Sequence, residues 1–272
     1  MQSVSHVLVD RPRPNVALVT LNRPERMNSM AFDVMVPLKK ALEELTYDNS
    51  VRVVVLTGAG RGFSSGADHK SAGAVPHVDG LTRPTYALRS MELLDDVIVS
   101  LRRLHQPVIA AVNGAAIGGG LCLALAADIR IAAAEAYFRA AGINNGLTAS
   151  ELGLSYLLPR AIGSSRGFEL MLTGRDVHAD EAERIGLVSR TVPEEDLLEV
   201  CYQMAETIAA FFRPGVELTK RTLWSGLDAA SLEGHMQAEG LGQLYVRLLT
   251  DNFEEAVAAR AEKRPPVFTD DK

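Results

Sequence analysis

A chain of 272 residues with 47% hydrophobic and 23% charged residues carries ample apolar material for one large core, and no run approaches the roughly 18 apolar residues of a membrane span. A formal net charge of -6 leaves no basic footprint for nucleic acid. The two cysteines, Cys122 and Cys201, lie far apart without metal-ligand spacing, which disfavours disulfides and zinc and leaves buried free thiols as the expectation.

In chain order, the first ten residues lack a basic leader and a long apolar region, so a cytoplasmic protein is expected. Val16-Ala-Leu-Val-Thr-Leu21 is β-branched and reads as a strand. A helix follows over residues 31 to 47, with Val34, Leu38, Leu42 and Leu45 on one face. Val51-Arg-Val-Val-Val-Leu56 is a second strand, and Gly58-Ala-Gly-Arg-Gly62 after it invites a dinucleotide-binding reading. Phe63 takes the place of the third glycine and no helix opens there, which sets that reading aside. Residues 73 to 84 are poor in apolar side chains and read as a loop. Residues 87 to 105 are helical, with Leu94, Ile98 and Leu101 on one face, and strands follow at 108 to 112 and 129 to 132. Beyond about 150 helical periodicity dominates, apart from Leu187-Val-Ser-Arg-Thr-Val192. The stripe Leu197, Cys201, Met204, Ile208 and Phe211 suits either an oligomer contact or the subunit's own core.

Pro107-Val-Ile-Ala-Ala-Val-Asn-Gly-Ala-Ala-Ile-Gly-Gly-Gly120 runs a buried-strand pattern through a turn into glycines that open an apolar helix. A helix-starting N–H has no intrahelical partner and sits at the positive end of the dipole, so it can stabilise a developing anion. In Phe63-Ser-Ser-Gly-Ala-Asp-His-Lys70, Gly66 permits a tight turn that points the Ala67 N–H outward as a second donor. Ordinary glycine turns are the alternative at both places.

Leu21-Asn-Arg-Pro24, Asn28-Ser-Met30, Leu56-Thr-Gly58, Phe63-Ser-Ser-Gly-Ala-Asp68, the run from Ala110 to Gly120, Ala127-Asp-Ile-Arg-Ile131 and Leu172-Thr-Gly174 occur in an order that resembles the enoyl-CoA hydratase/isomerase (crotonase) family. Ala182-Glu-Arg-Ile-Gly-Leu-Val188 and Glu262-Lys-Arg-Pro-Pro-Val-Phe268 extend the likeness almost to the end. The resemblance implies an α/β fold, a crotonase-like spiral of ββα repeats over residues 1–192, and a helical C-terminal region over 193–272 that builds homotrimers or hexamers. It implies acyl-CoA thioesters as substrates, a place in fatty acid metabolism, and no metal or redox cofactor. By matching motif, the N–H groups of Ala67 and Gly119 form an oxyanion hole for the thioester oxygen, while Arg26, Ser64, Gly66 and Asp68 lie along the CoA channel.

Hydratases of that family use two glutamates to position water and move protons. Counting along the motifs, Cys122 and Gly142 stand at those two positions. Cys122 is a possible nucleophile or proton donor if the helix terminus lowers its pKa, or an inert packed thiol. Glu151, in Gly146-Leu-Thr-Ala-Ser-Glu-Leu-Gly153, resembles the aspartate-bearing loop of dienoyl-CoA isomerases and aryl-CoA dehalogenases, and partial burial would raise its pKa toward that of a general base. Thr148-Ala-Ser-Glu151 also reads as a capping box. His69, two residues past Ala67, is a possible second proton-transfer group, or faces the CoA channel or solvent. A single carboxylate suits double-bond isomerisation better than hydration. The alternatives are an acyl-CoA-binding pseudoenzyme without turnover and an RNA-binding relative, the latter opposed by the acidic balance.

Overall fold

A computed structural model describes residues 5–269; the first four residues of the N-terminal stretch and the last three of the C-terminal region lie outside it. In chain order the elements are β1 (Val7–Arg13), β2 (Val16–Leu21), α1 (Phe32–Tyr47), β3 (Val53–Gly58), β4 (Gly62–Ser64), α2 (Arg83–Arg103), β5 (Val108–Val112) and β6 (Ala115–Ile117). They continue as α3 (Gly119–Ala126), β7 (Ile129–Ala133), β8 (Tyr137–Arg139), α4 (Leu154–Ile162), α5 (Ser164–Thr173), β9 (Val177–His178), α6 (Ala179–Arg184) and β10 (Arg190–Val192). Helices α7 (Leu197–Ala209), α8 (Arg213–Leu227), α9 (Leu232–Leu249) and α10 (Asn252–Glu262) complete the chain.

The long strands form one sheet in the order β1-β2-β3-β5-β7-β10, and the short ones a second in the order β4-β6-β8-β9. Each turn of the spiral sends one strand to each sheet before a helix returns the chain: β3 and β4 precede α2, β5 and β6 precede α3, and β7 and β8 precede α4. Pairings from β2 through β10 in the large sheet are parallel. Such strands are covered on both faces, which explains their near-continuous apolar runs.

Alternation along those strands separates two cores. Val16, Val53, Val55, Ile109, Ala111 and Ile131 face Leu197, Cys201, Tyr202 and Ala205 of α7. Ala17, Val19, Val54, Leu56, Val108 and Ala110 face the other way, into the core shared with α1, α3 and the short-stranded sheet. The α7 stripe is therefore core packing, with Met204 and Ile208 partly buried against the sheet. Phe211 is exposed and its ring lies 6.1 Å from that of Phe268. Both cysteines are buried and free, and burial pushes the Cys201 thiol up to about 12.

The structure starts α2 at Arg83 rather than 87, because Pro84 is preorganised for a first helical turn. The four strands of the second sheet have only two or three residues each, too few for a period to register in sequence.

Helix α8 is fastened to the spiral by a buried ion pair. Lys220 Nζ lies 2.8 Å from Asp128 Oδ2 and donates to the Gln106 carbonyl at 2.8 Å. Trp224 Nε1 and the Val108 N–H also donate to the Asp128 carboxylate. Removing one partner strands the other charge, so Lys220→Met is expected to cost about 3 kcal/mol in urea unfolding. Lys40→Ala, which opens an exposed pair with Glu44, should change the same measurement by less than about 1 kcal/mol.

Candidate active site

The site is assembled where the C-terminal ends of the short strands meet. Asn28, fully buried with φ +52°, donates through Nδ2 to the carbonyls of Ala59 and Gly62 and accepts the Arg23 N–H through Oδ1. Its own carbonyl accepts Ser64 Oγ–H at 2.8 Å. These bonds hold the segment before α1 against β4. Met30 continues the attachment: its N–H donates to the Gly66 carbonyl at 2.7 Å, and its carbonyl accepts the Asp68 N–H at 3.1 Å. Ala67, between those partners, is exposed.

Gly66 has φ +80°, and a Cβ there would lie 2.6 Å from the Ile117 carbonyl oxygen and 3.4 Å from the Gly119 nitrogen. That proximity places the two glycine turns side by side. Gly118, at φ +53°, donates its N–H to the Arg139 carbonyl at 2.8 Å and precedes the first residue of α3. Gly120 packs its Cα onto the Ser64 carbonyl, where a Cβ would overlap the oxygen. Neither the Ala67 nor the Gly119 N–H donates to a backbone carbonyl among the described residues. Ala67 and Gly119, the residues expected to supply the two donors, thus lie on adjacent turns.

Glu151 stands next to this pair. Its Oε1 lies 3.1 Å, and its Cδ 3.9 Å, from where a Cβ on Gly118 would be. The carboxyl is half-buried, and desolvation raises its pKa while His69 opposes the shift electrostatically. His69 is exposed yet within electrostatic reach of Glu151. The capping box is not formed. Helix α4 begins at Leu154 after Gly153, without a side-chain cap, and Thr148 Oγ1 instead donates to the Ser150 carbonyl. Leu152 adopts φ +45°, a strained conformation for a branched apolar side chain, in the residue next to the carboxylate.

The two positions reached by counting along the motifs, Cys122 and Gly142, carry no carboxylate. Cys122 is fully buried on α3, and its Sγ is within hydrogen-bonding distance of the carbonyls of Gly118, at 3.3 Å, and Glu151, at 3.5 Å. Burial, aided by the nearby Glu151 charge, raises its pKa well above an ordinary thiol. This reverses the lowered pKa expected from the helix terminus: desolvation of a thiolate outweighs the dipole when no water reaches the sulfur. At Gly142, a Cβ would overlap the Thr148 carbonyl, because residues 142–147 fold tightly, with the N–H groups of Asn145 and Leu147 both donating to the Gly142 carbonyl.

Two residues expected along the CoA channel have buried side chains with structural partners. The side chain of Ser64 is fully buried, bonded to Asn28, and 3.4 Å from the Gly66 nitrogen, so it braces the turn from behind. Asp68 has its carboxylate buried among Arg26, Arg23, Ser29 and the N–H groups of Lys70 and Ser71. Bonding to Arg26 foremost holds its pKa far below the usual carboxylate range. Arg26 remains partly exposed beside it. Sequence reasoning missed Met30 and Leu152, whose side chains flank Gly119, because an apolar residue carries no chemical signature of its own. Among the described residues no group of three His, Cys, Asp or Glu is arranged to hold a metal ion, and no helix is long and apolar enough to cross a membrane.

A spiral of ββα turns with two glycine turns apposed at its tip defines a crotonase-fold protein. Residues 12–271 match the family described as enoyl-CoA hydratase/isomerase. A Mycobacterium tuberculosis protein described as probable enoyl-CoA hydratase EchA12 is 83% identical over 269 residues, covering 99% of this chain and 94% of that one. A probable enoyl-CoA hydratase/isomerase from Mycobacterium abscessus has a crystal structure with a TM-score of 0.94, 74% identity, and coverage of 98% of this chain and 100% of its own. The structure described as a monofunctional enoyl CoA isomerase from M. smegmatis is 72% identical, covers 86% of this chain and 99% of its own, and has a TM-score of 0.74. The chain belongs to the enoyl-CoA hydratase/isomerase family.

The Asp68 pKa is depressed in the folded state, so its stabilisation is present above the unfolded value of about 3.9 and is lost as pH falls below it. Urea midpoints measured from pH 6 to pH 3 should therefore decline below about pH 4. In Asp68→Asn the midpoint should start lower and decline less over the same window.

Proposed function

We propose that this protein is an enoyl-CoA isomerase whose single working carboxylate is Glu151. The observation that carries the reading is a half-buried carboxylate beside the Gly118 turn, with a pKa raised by desolvation, while position 122 holds a buried thiol and position 142 a glycine closed in by main chain. The M. smegmatis relative described as a monofunctional isomerase supports the same reaction.

In the proposed mechanism the thioester oxygen of a 3-enoyl-CoA accepts hydrogen bonds from the N–H groups of Ala67 and Gly119. Glu151 takes a proton from C2, the C–H electron pair passes into the conjugated system, and negative charge accumulates on the thioester oxygen. The two donors favour that dienolate over the neutral thioester, and losing one of them costs about 3 kcal/mol. Glu151 then returns its proton to C4, giving the 2-enoyl isomer with no water, metal or redox cofactor consumed. The raised pKa brings the carboxylate closer to that of the carbon acid, which a proton shuttle requires. His69 tunes that carboxylate electrostatically, and Arg26 borders the channel for the CoA moiety.

Exposed apolar side chains on the C-terminal helices, including Leu223, Leu241, Leu244, Leu248 and Phe253, support a trimer built by that region in a cytoplasmic enzyme. Sedimentation equilibrium should return the mass of three chains or of six; a monomer would remove this part of the reading.

Conversion of 3-enoyl-CoA to 2-enoyl-CoA should fall by about 100-fold or more in Glu151→Gln. Because the base must be ionised, kcat/KM of the wild type should rise with pH through a pKa above the usual glutamate value of about 4.3, and Glu151→Gln should lack that limb. Gly119→Pro, which deletes one donor, is the inactive control. Wild-type turnover no faster than this control, with calorimetric binding of the thioester intact, would indicate an acyl-CoA-binding pseudoenzyme.

A further inference from the structure

Gly119 is held between two apolar side chains. A Cβ on Gly119 would overlap Met30 Sδ and lie 3.1 Å from Met30 Cε and 3.2 Å from Leu152 Cδ1. Met30 is also the residue whose main chain grips the other turn, through the Gly66 carbonyl and the Asp68 N–H. The resulting isolated parallel bridge is between Met30 and Ala67. In a parallel bridge the residue bracketed by its partner's two bonds directs its own N–H and C=O away from that partner. The main chain of Met30 therefore sets the direction of the Ala67 N–H, while its thioether abuts the Cα that carries the Gly119 N–H.

We propose that Met30 is a positioning residue that sets the spacing between the Ala67 and Gly119 N–H groups. This inference rests on the oxyanion-hole reading of those groups. Met30 is 7% exposed within the main core, so its side chain is packed rather than free to swing. An unbranched thioether reaches past the bridge to Gly119, whereas a shorter side chain leaves a gap into which the N-terminus of α3 can relax. Donor spacing acts most on the charged oxygen of the dienolate and less on the neutral thioester. Its loss should therefore lower kcat more than it raises KM.

The test compares Met30→Ala, Met30→Val and Met30→Leu with the wild type in 3-enoyl-CoA turnover, in thermal melting, and in the near-ultraviolet enolate band of bound acetoacetyl-CoA at saturation. In the Ala and Val variants kcat should fall by about 30- to 100-fold, of the order expected from misplacing a donor by about 1 Å. KM should stay within about threefold and the enolate band should weaken. Met30→Leu, close in volume, should recover kcat to within about fivefold. Val keeps apolar bulk at the bridge and serves if the Ala variant does not fold. Lower melting temperatures with wild-type kcat and an undiminished enolate band in the folded Ala or Val variant would overturn the assignment, leaving Met30 as packing only. A wild-type protein that shows no enolate band would instead overturn the oxyanion-hole reading, and this inference with it.

Discussion

The site depends on how closely two pieces of main chain approach each other at the tips of β4 and β6. Gly66 rests on the Ile117 carbonyl and Gly120 on the Ser64 carbonyl, at separations that no Cβ can occupy. Each turn therefore packs on a carbonyl of the other strand, and the Gly119 nitrogen comes next to Gly66. Any side chain larger than hydrogen at these contacts would separate β4 from the start of α3. The positive φ angles of Gly66 and Gly118 follow from the same need to turn sharply at the point of contact.

A shell of buried polar groups around that contact keeps it rigid. Asn28 satisfies three main-chain groups on two segments, and Ser64 ties its own strand to Asn28. Asp68 gathers Arg23, Arg26, Ser29 and two main-chain N–H groups. In each case an otherwise costly buried polar atom is satisfied by bonds that fix the loop geometry. Asp68 and Ser64 thus act on the turn around the exposed Ala67 through the backbone they immobilise, while their own side chains are buried.

The proposed acid-base chemistry rests on where the structure places a carboxylate. The fold puts a thiol in a dry interior at 122 and closes main chain over 142, and the proposed mechanism accordingly takes its carboxylate from the 146–153 loop. The left-handed Leu152 and Gly153 turn that loop sharply before α4, with Leu154 donating its N–H to the Glu151 carbonyl. The Cys122 thiol touches the same carbonyl and that of Gly118, so a residue without a lowered pKa still lies at the seam between the carboxylate and the glycine turn.

The family, the long parallel strands, α1 and the glycine turns were legible in the sequence, because β-branched runs, helical spacing and glycine-bearing motifs are local patterns that survive without knowledge of neighbours. The sequence also showed that Cys122 and Gly142 are not acids. It left Glu151 open between a carboxylate in the site and a capping residue. The tertiary structure removed the capping box, since α4 starts three residues later, and placed the side chain against Gly118. It likewise assigned the α7 stripe to the core, buried the side chains of Ser64 and Asp68, and revealed Met30 and Leu152 beside Gly119. These decisions turn on contacts between segments tens of residues apart and on desolvation, which is a property of the packed surroundings rather than of the residue itself.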